Sequence, residues 1–103
     1  MSTVKNLNGI ANQFVIENEK EVIFQSYNST ICIIHKGGGL GYNKVAKFGR
    51  NWNYSTTTAK HLYKFLKEYG LDILASKKAI EEAIERGHAR LDESIAVIYD
   101  ETL

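Results

Sequence analysis

The 103-residue sequence contains no proline and only one cysteine, Cys32. A lone thiol excludes an intramolecular disulfide and fits a reducing compartment. The lack of proline argues against an extended linker or a proline-rich ligand. Long hydrophobic runs are missing as well. Stretches such as Ile31 to Ile34 fall far below the ~20 residues needed to cross a bilayer. No basic start leads into an apolar stretch with a cleavage site, so export is not expected. What is present, 44% hydrophobic and 24% charged residues, is too apolar and too mixed in charge for a disordered chain. That length suits one domain over residues 1–103, hiding roughly two-thirds of its extended surface. The expectation is a small, soluble, intracellular domain with no membrane contact.

Acidic residues are missing from the middle of the chain. Residues 36–67 hold seven bases (Lys36, Lys44, Lys47, Arg50, Lys60, Lys64, Lys67) and neither Asp nor Glu. Residues 68–103 carry nine acids against four bases, and the first 35 residues are nearly balanced, at −1. Asymmetry of this kind bears on partners and association rates rather than on fold. The alternative is that these cations only solvate the outside of strands and helices.

Hydrophobic patterning predicts a run of strands followed by helices. Residues 10–16 and 21–27 are strand candidates, separated by the polar hairpin loop 17–20, and Asn28 marks a bend or bulge. Residues 29–36 are apolar on both faces, as in a strand covered on both sides or central in its sheet. The glycine run 37–41 makes a turn, and residues 42–48 alternate as a strand with one solvated face. The period changes after Trp52. One of Ser55, Thr56 and Thr57 caps a helix burying Leu62, Phe65, Leu66 and Tyr69, which stops at Gly70. A second helix starts after Ser76, buries Ala79, Ile80, Ala83 and Ile84, and closes at Gly87. Residues 94–99 read as a strand and 100–103 as a frayed end. The fold class is therefore α+β: an antiparallel sheet of four to five strands in an N-terminal meander, with two C-terminal helices on one face.

Most chemical motifs fail on geometry. The glycine run is followed by Lys44, but that lysine precedes Val45 within a strand, whereas a phosphate loop needs Gly-Lys-Ser/Thr opening a helix. Cys32, His35, His61 and His88 have zinc-ligand chemistry. A three-residue step along a strand nevertheless sends Cys32 and His35 to opposite faces. The hydroxyls of residues 55–57 lie near His61, with no local acid to orient it. No catalytic residue, metal or cofactor is expected. Bases interleaved with aromatics give the strongest signal: Tyr42, Lys44, Lys47, Arg50, Lys60 and Lys64 are the candidate partner-binding residues. Cations neutralise phosphates while aromatic faces stack bases. Trp52 reads as a packing anchor between strand and helix, with base stacking as its alternative.

The segment Trp52-Asn53-Tyr54-Ser55-Thr56-Thr57-Thr58-Ala59-Lys60, continuing through Leu62, Phe65 and Leu66, resembles a family of small uncharacterised bacteriophage and mobile-element proteins. Its pattern is W-[DN]-Y-S-x-T-T-x-K-x-L-x-x-F-L. Phe24, Ser26, Tyr27 and residues 29–31 match an earlier motif of that family, and Ile80, Ile84 and Gly87 match a later one. The glycine loop is longer than in the pattern, and residues 92–103 have no counterpart. The resemblance implies a phage or mobile-element origin and, by genomic company alone, a non-catalytic binding protein that inhibits a host defence system. Its expected partner is a host protein or nucleoprotein complex such as a CRISPR effector nuclease, in an anti-CRISPR role. A small single-strand nucleic-acid-binding or regulatory protein, using the same basic face, is the alternative; a phage structural or assembly protein is the third. Both monomer and homodimer remain open.

Overall fold

A computed structural model describes residues 3–39 and 41–103. Six strands form a single sheet in sequence order: β1 (Thr3–Asn6), β2 (Gln13–Glu17), β3 (Glu21–Ser26), β4 (Ser29–His35), β5 (Lys44–Gly49) and β6 (Ile95–Asp100). β2 to β5 make the expected antiparallel meander, β1 extends it by one strand, and β6 departs from the expected antiparallel sheet by lying parallel to β5. The two helices, α1 (Thr56–Glu68) and α2 (Lys77–Arg86), lie in the crossover between β5 and β6. A parallel neighbour needs such a long crossover, because the chain must return to the end from which β5 started. No helix among the described residues is long and apolar enough to cross a membrane.

Strand alternation separates two faces. Val22, Ile34, Ala46 and Val97 pair in register, as do Val15, Phe24, Cys32 and Phe48. All of these are buried, in one core with Leu62, Phe65 and Leu66 of α1 and Ile80 and Ala83 of α2. The register of β3 and β4 shifts between Phe24 and Gln25, where Phe24 faces Cys32 and Gln25 faces Thr30. Ile31 is the extra residue, and both it and Cys32 are buried. A bulge of this kind turns two consecutive side chains inward, so a run that is apolar on both faces still feeds the core.

Helix ends follow local chemistry. Ser55 is the α1 cap, its Oγ accepting from Thr58 N–H at 3.1 Å. Ser76 caps α2 in the same way through Ala79 N–H. Gly87 ends α2 at φ +85°, a conformation that costs glycine little and other residues more.

Three expectations need correction. Asn28 marks neither a bend nor a bulge: with Tyr27 it makes the full hairpin turn between the paired Ser26 and Ser29. Residues 3–6 form a strand that the pattern does not announce, because all four are exposed and only Val4 is strongly apolar. The chain end does not fray at residues 100–103. Asp100 belongs to β6, its Oδ1 accepts from Thr102 N–H at 3.0 Å, and Leu103 N–H donates to Asp100 O. Leu103 sits so close to Gly49 that a Cβ there would come within 2.9 Å of Leu103 Cβ.

Candidate functional site

The five cations of the expected basic face do not form one patch. Lys60 and Lys64 are exposed one turn apart on α1. Lys47 pairs with Ile33 and Ile98 on the opposite side of the sheet, where its charge helps hold the Asp100 carboxyl below its usual range, after the larger effect of the Thr102 bonds. Lys44 opens β5 with Nζ 3.7 Å from the position of a Cβ on Gly70. It also contributes to lowering Asp92, whose chief partner is Ser94. Arg50 is exposed at the far end of β5, and Tyr42 is tied into the glycine loop by its bridge to Gly39. Strand alternation sends Lys44 and Lys47 to opposite faces, which no count along the chain reveals.

Lys36, the first base of the acid-free stretch, is already paired. Its Nζ lies 2.5 Å from Glu17 Oε2, and Tyr69 Oη donates to Glu17 Oε1 at 3.2 Å. Hydrogen bonding from Lys36 keeps the Glu17 carboxyl below its ordinary value. Lys5 joins β1 to the end of α1 through Glu68 at 3.2 Å and lies over the Tyr69 ring. These links clasp the edge of the sheet to α1. Cys32 is fully buried, and desolvation pushes its thiol far up, so it packs as an apolar group. His35 faces away from Cys32, next to Glu21 at 3.7 Å.

Two features stand out once the cations are dispersed. The first is the outer face of the sheet. Val4, Ile16, Ile23, Ile33, Lys47 and Ile98 pair in one continuous row across all six strands. None belongs to the core cluster; Val4 is exposed and the others are half-buried against one another. Both helices are on the other face, so the row is covered by neither.

The second is a cleft of about 640 Å³ beside the start of α1. Its wall is built from the 10–13 segment, the β3–β4 turn, Asn51, Tyr54 and the first turns of α1 as far as His61. Gln13 and Ser26 pair in register on the inward face, where the core pattern of β2 and β3 calls for apolar side chains. They are the two buried polar residues among those described, 4% and 5% exposed. Gln13 Oε1 and His61 Nδ1 are buried with no hydrogen-bond partner, a state that costs ~1–3 kcal/mol per group. Tyr27 and Tyr54 are 63% and 78% exposed among the lining residues. Tyr27 also holds φ at +53°, a left-handed conformation that bulky residues rarely take and that costs ~1–3 kcal/mol. Among the described residues, no Lys, Arg, Asp or Glu side chain lines the cleft.

Burial, assisted by Lys64, lowers the His61 pKa below its usual 6.5. The folded state therefore binds this proton less readily than the unfolded chain. Its contribution to stability is complete above the unfolded pKa and is lost as pH falls through the folded one. Thermal denaturation at pH 7.5 and 5.5 should show a lower melting temperature at pH 5.5, with the difference reduced in His61→Asn. An unchanged difference would remove His61 from this role.

The sequence signal for the cleft was available in part. Period-2 alternation through Val22 and Phe24 places Ser26 inward, and Tyr54, Ser55, Thr57 and Thr58 fall in the hydroxyl-rich block that precedes and opens α1. Nothing in the sequence brings Gln13 to that segment.

No curated protein and no solved structure matches this chain. A family model covers residues 1–82, a span that contains β1 to β5, α1 and every residue lining the cleft. The chain therefore belongs to the family of unknown function DUF8033.

Proposed function

We propose that this protein is a non-catalytic binding protein that docks a partner protein on the outer face of its sheet. The observation that carries the reading is the row Val4, Ile16, Ile23, Ile33 and Ile98, interrupted by the single cation Lys47. Contiguous apolar surface rimmed by polar groups is characteristic of protein contacts. Six strands about 4.8 Å apart span roughly 24 Å, enough for a contact near the ~1,000 Å² total expected of a specific interface. One cation in the row is too few to follow a phosphate backbone, which favours a protein over a nucleic acid there. The matching surface is apolar with a carboxylate opposite Lys47.

The phage ancestry implied by the sequence pattern makes a host defence complex the first partner to test, a CRISPR effector nuclease among them. This reading puts the protein to work in the bacterial cytoplasm. Purified effector and host extract should be captured by the wild-type protein. Ile33→Glu should weaken capture at least tenfold, with the fold retained because the new carboxylate lies beside Lys47 on the adjacent strand. The double variant Lys60→Glu, Lys64→Glu should capture normally. The reverse pattern, loss with the α1 lysines and not with Ile33, would overturn the reading, and a second copy of the chain captured alone would make the face a homodimer contact.

A further inference from the structure

The cleft beside α1 has its own chemistry, independent of the outer sheet face. Its buried groups ask for a ligand with hydrogen-bonding edges. Gln13 Oε1 is an acceptor without a donor, and His61 Nδ1 is likewise unpartnered. The remaining polar lining consists of neutral hydroxyls and the Asn51 amide, whose Nδ2 donates to Ser29 Oγ at 3.3 Å. With no carboxylate or cation inside, the cleft is unsuited to a bare anion or cation and suited to a neutral, flat, hydrogen-bonding group. The tyrosine rim supplies the faces. Tyr27 and Tyr54 are large aromatic side chains left mostly in solvent, and Tyr27 is kept there at a cost in backbone strain. The cations come next. Lys60 lies between the lining residues Thr58 and His61, level with the cleft on the adjoining helix surface, and Lys64 follows His61 by three positions, about one 5.4 Å turn further along.

We propose that this cleft binds the base of a nucleotide: Gln13 Oε1 accepts from an exocyclic amino group or ring N–H, Tyr27 and Tyr54 stack on the ring, and Lys60 and Lys64 receive the phosphate. A nucleobase satisfies the orphaned acceptor and the aromatic rim together, and its phosphate uses the lysines that flank an otherwise uncharged lining. A neutral sugar would leave those lysines without a role. The base belongs either to a free nucleotide or to a single strand, and the two sources share this chemistry.

The test is titration of the full chain with AMP, CMP, GMP and UMP, with short single-stranded oligonucleotides, and with neutral methyl glycosides, followed by calorimetry and by amide shifts of residues 13, 58 and 61. Binding of mononucleotides assigns a free-nucleotide pocket, whereas binding of oligonucleotides alone assigns a strand. Either result supports the base site when Tyr54→Ala weakens it at least fivefold and Gln13→Leu at least tenfold. Gln13→Leu should also keep or raise the melting temperature, because it removes a buried unpaired oxygen. Tyr54 is exposed, so Tyr54→Ala tests the site without threatening the fold. Three results would overturn the proposal: no binding of any nucleotide or strand at millimolar concentration, binding that both variants leave unchanged, or glycoside binding with the same sensitivity to them.

Discussion

Phe65→Ala should lower the free energy of unfolding by about 3–5 kcal/mol, the largest single-residue effect expected in this molecule. Phe65 is fully buried on α1, stacks on Phe24 of β3 with ring centroids 5.4 Å apart, and meets Tyr69 at 5.2 Å. It thus joins the helix to the middle of the meander and supports the tyrosine that bonds Glu17. Removing the ring leaves a cavity lined by backbone-anchored groups that cannot close around it. For a chain of this length, total stability of about 5–15 kcal/mol leaves little margin. Chemical denaturation of the variant would show the loss as a lower midpoint. A change below about 1 kcal/mol would mean that α1 is not packed on the sheet through this residue.

Trp52→Ala should cost nearly as much, about 3 kcal/mol or more. Trp52 is 8% exposed and meets Phe48 edge-on, with centroids 6.2 Å apart and planes at 68°. It closes the core where the chain leaves β5 and turns toward α1. The indole also distinguishes two roles that the sequence leaves open, packing anchor and base-stacking platform. A structural tryptophan lowers stability when removed, whatever ligand is present. A stacking platform would keep stability and lose affinity. The burial assigns it to packing, and the aromatic side chains that face solvent beside the cleft are Tyr27 and Tyr54 instead.

The different legibility of these parts has physical causes. The helices were readable because capping and the 3.6-residue stripe are local: Ser55, Ser76 and Gly87 each act within one turn. The meander was readable because β3 alternates cleanly through Val22, Phe24 and Ser26. β1 was not, since an edge strand with every residue exposed has no hydrophobic period to show, and its pairing with β2 is made by backbone bonds. The parallel placement of β6 depends on where two helices deliver the chain, which no local pattern encodes.

The candidate site was less legible for a related reason. A block of charge along the sequence says nothing about which side of a sheet each residue leaves from, and Lys44 and Lys47 leave from opposite sides. The outer apolar row required register across six strands. Each isoleucine in it looks, by itself, like half of an ordinary alternating strand. Similarly, Gln13 became notable only when pairing with Ser26 placed it inward, next to a helix that begins more than forty residues later.

The account rests on one face of the sheet being sealed by helices while the other is free for a partner. Relaxation of isoleucine methyl groups by a soluble gadolinium chelate measures this without any partner in hand. The methyls of Ile16, Ile23, Ile33 and Ile98 should broaden strongly, while those of Ile31, Ile34, Ile80 and Ile95 stay sharp. Equal protection of both sets in dilute, monomeric protein would show that the outer row is already covered and would contradict the account.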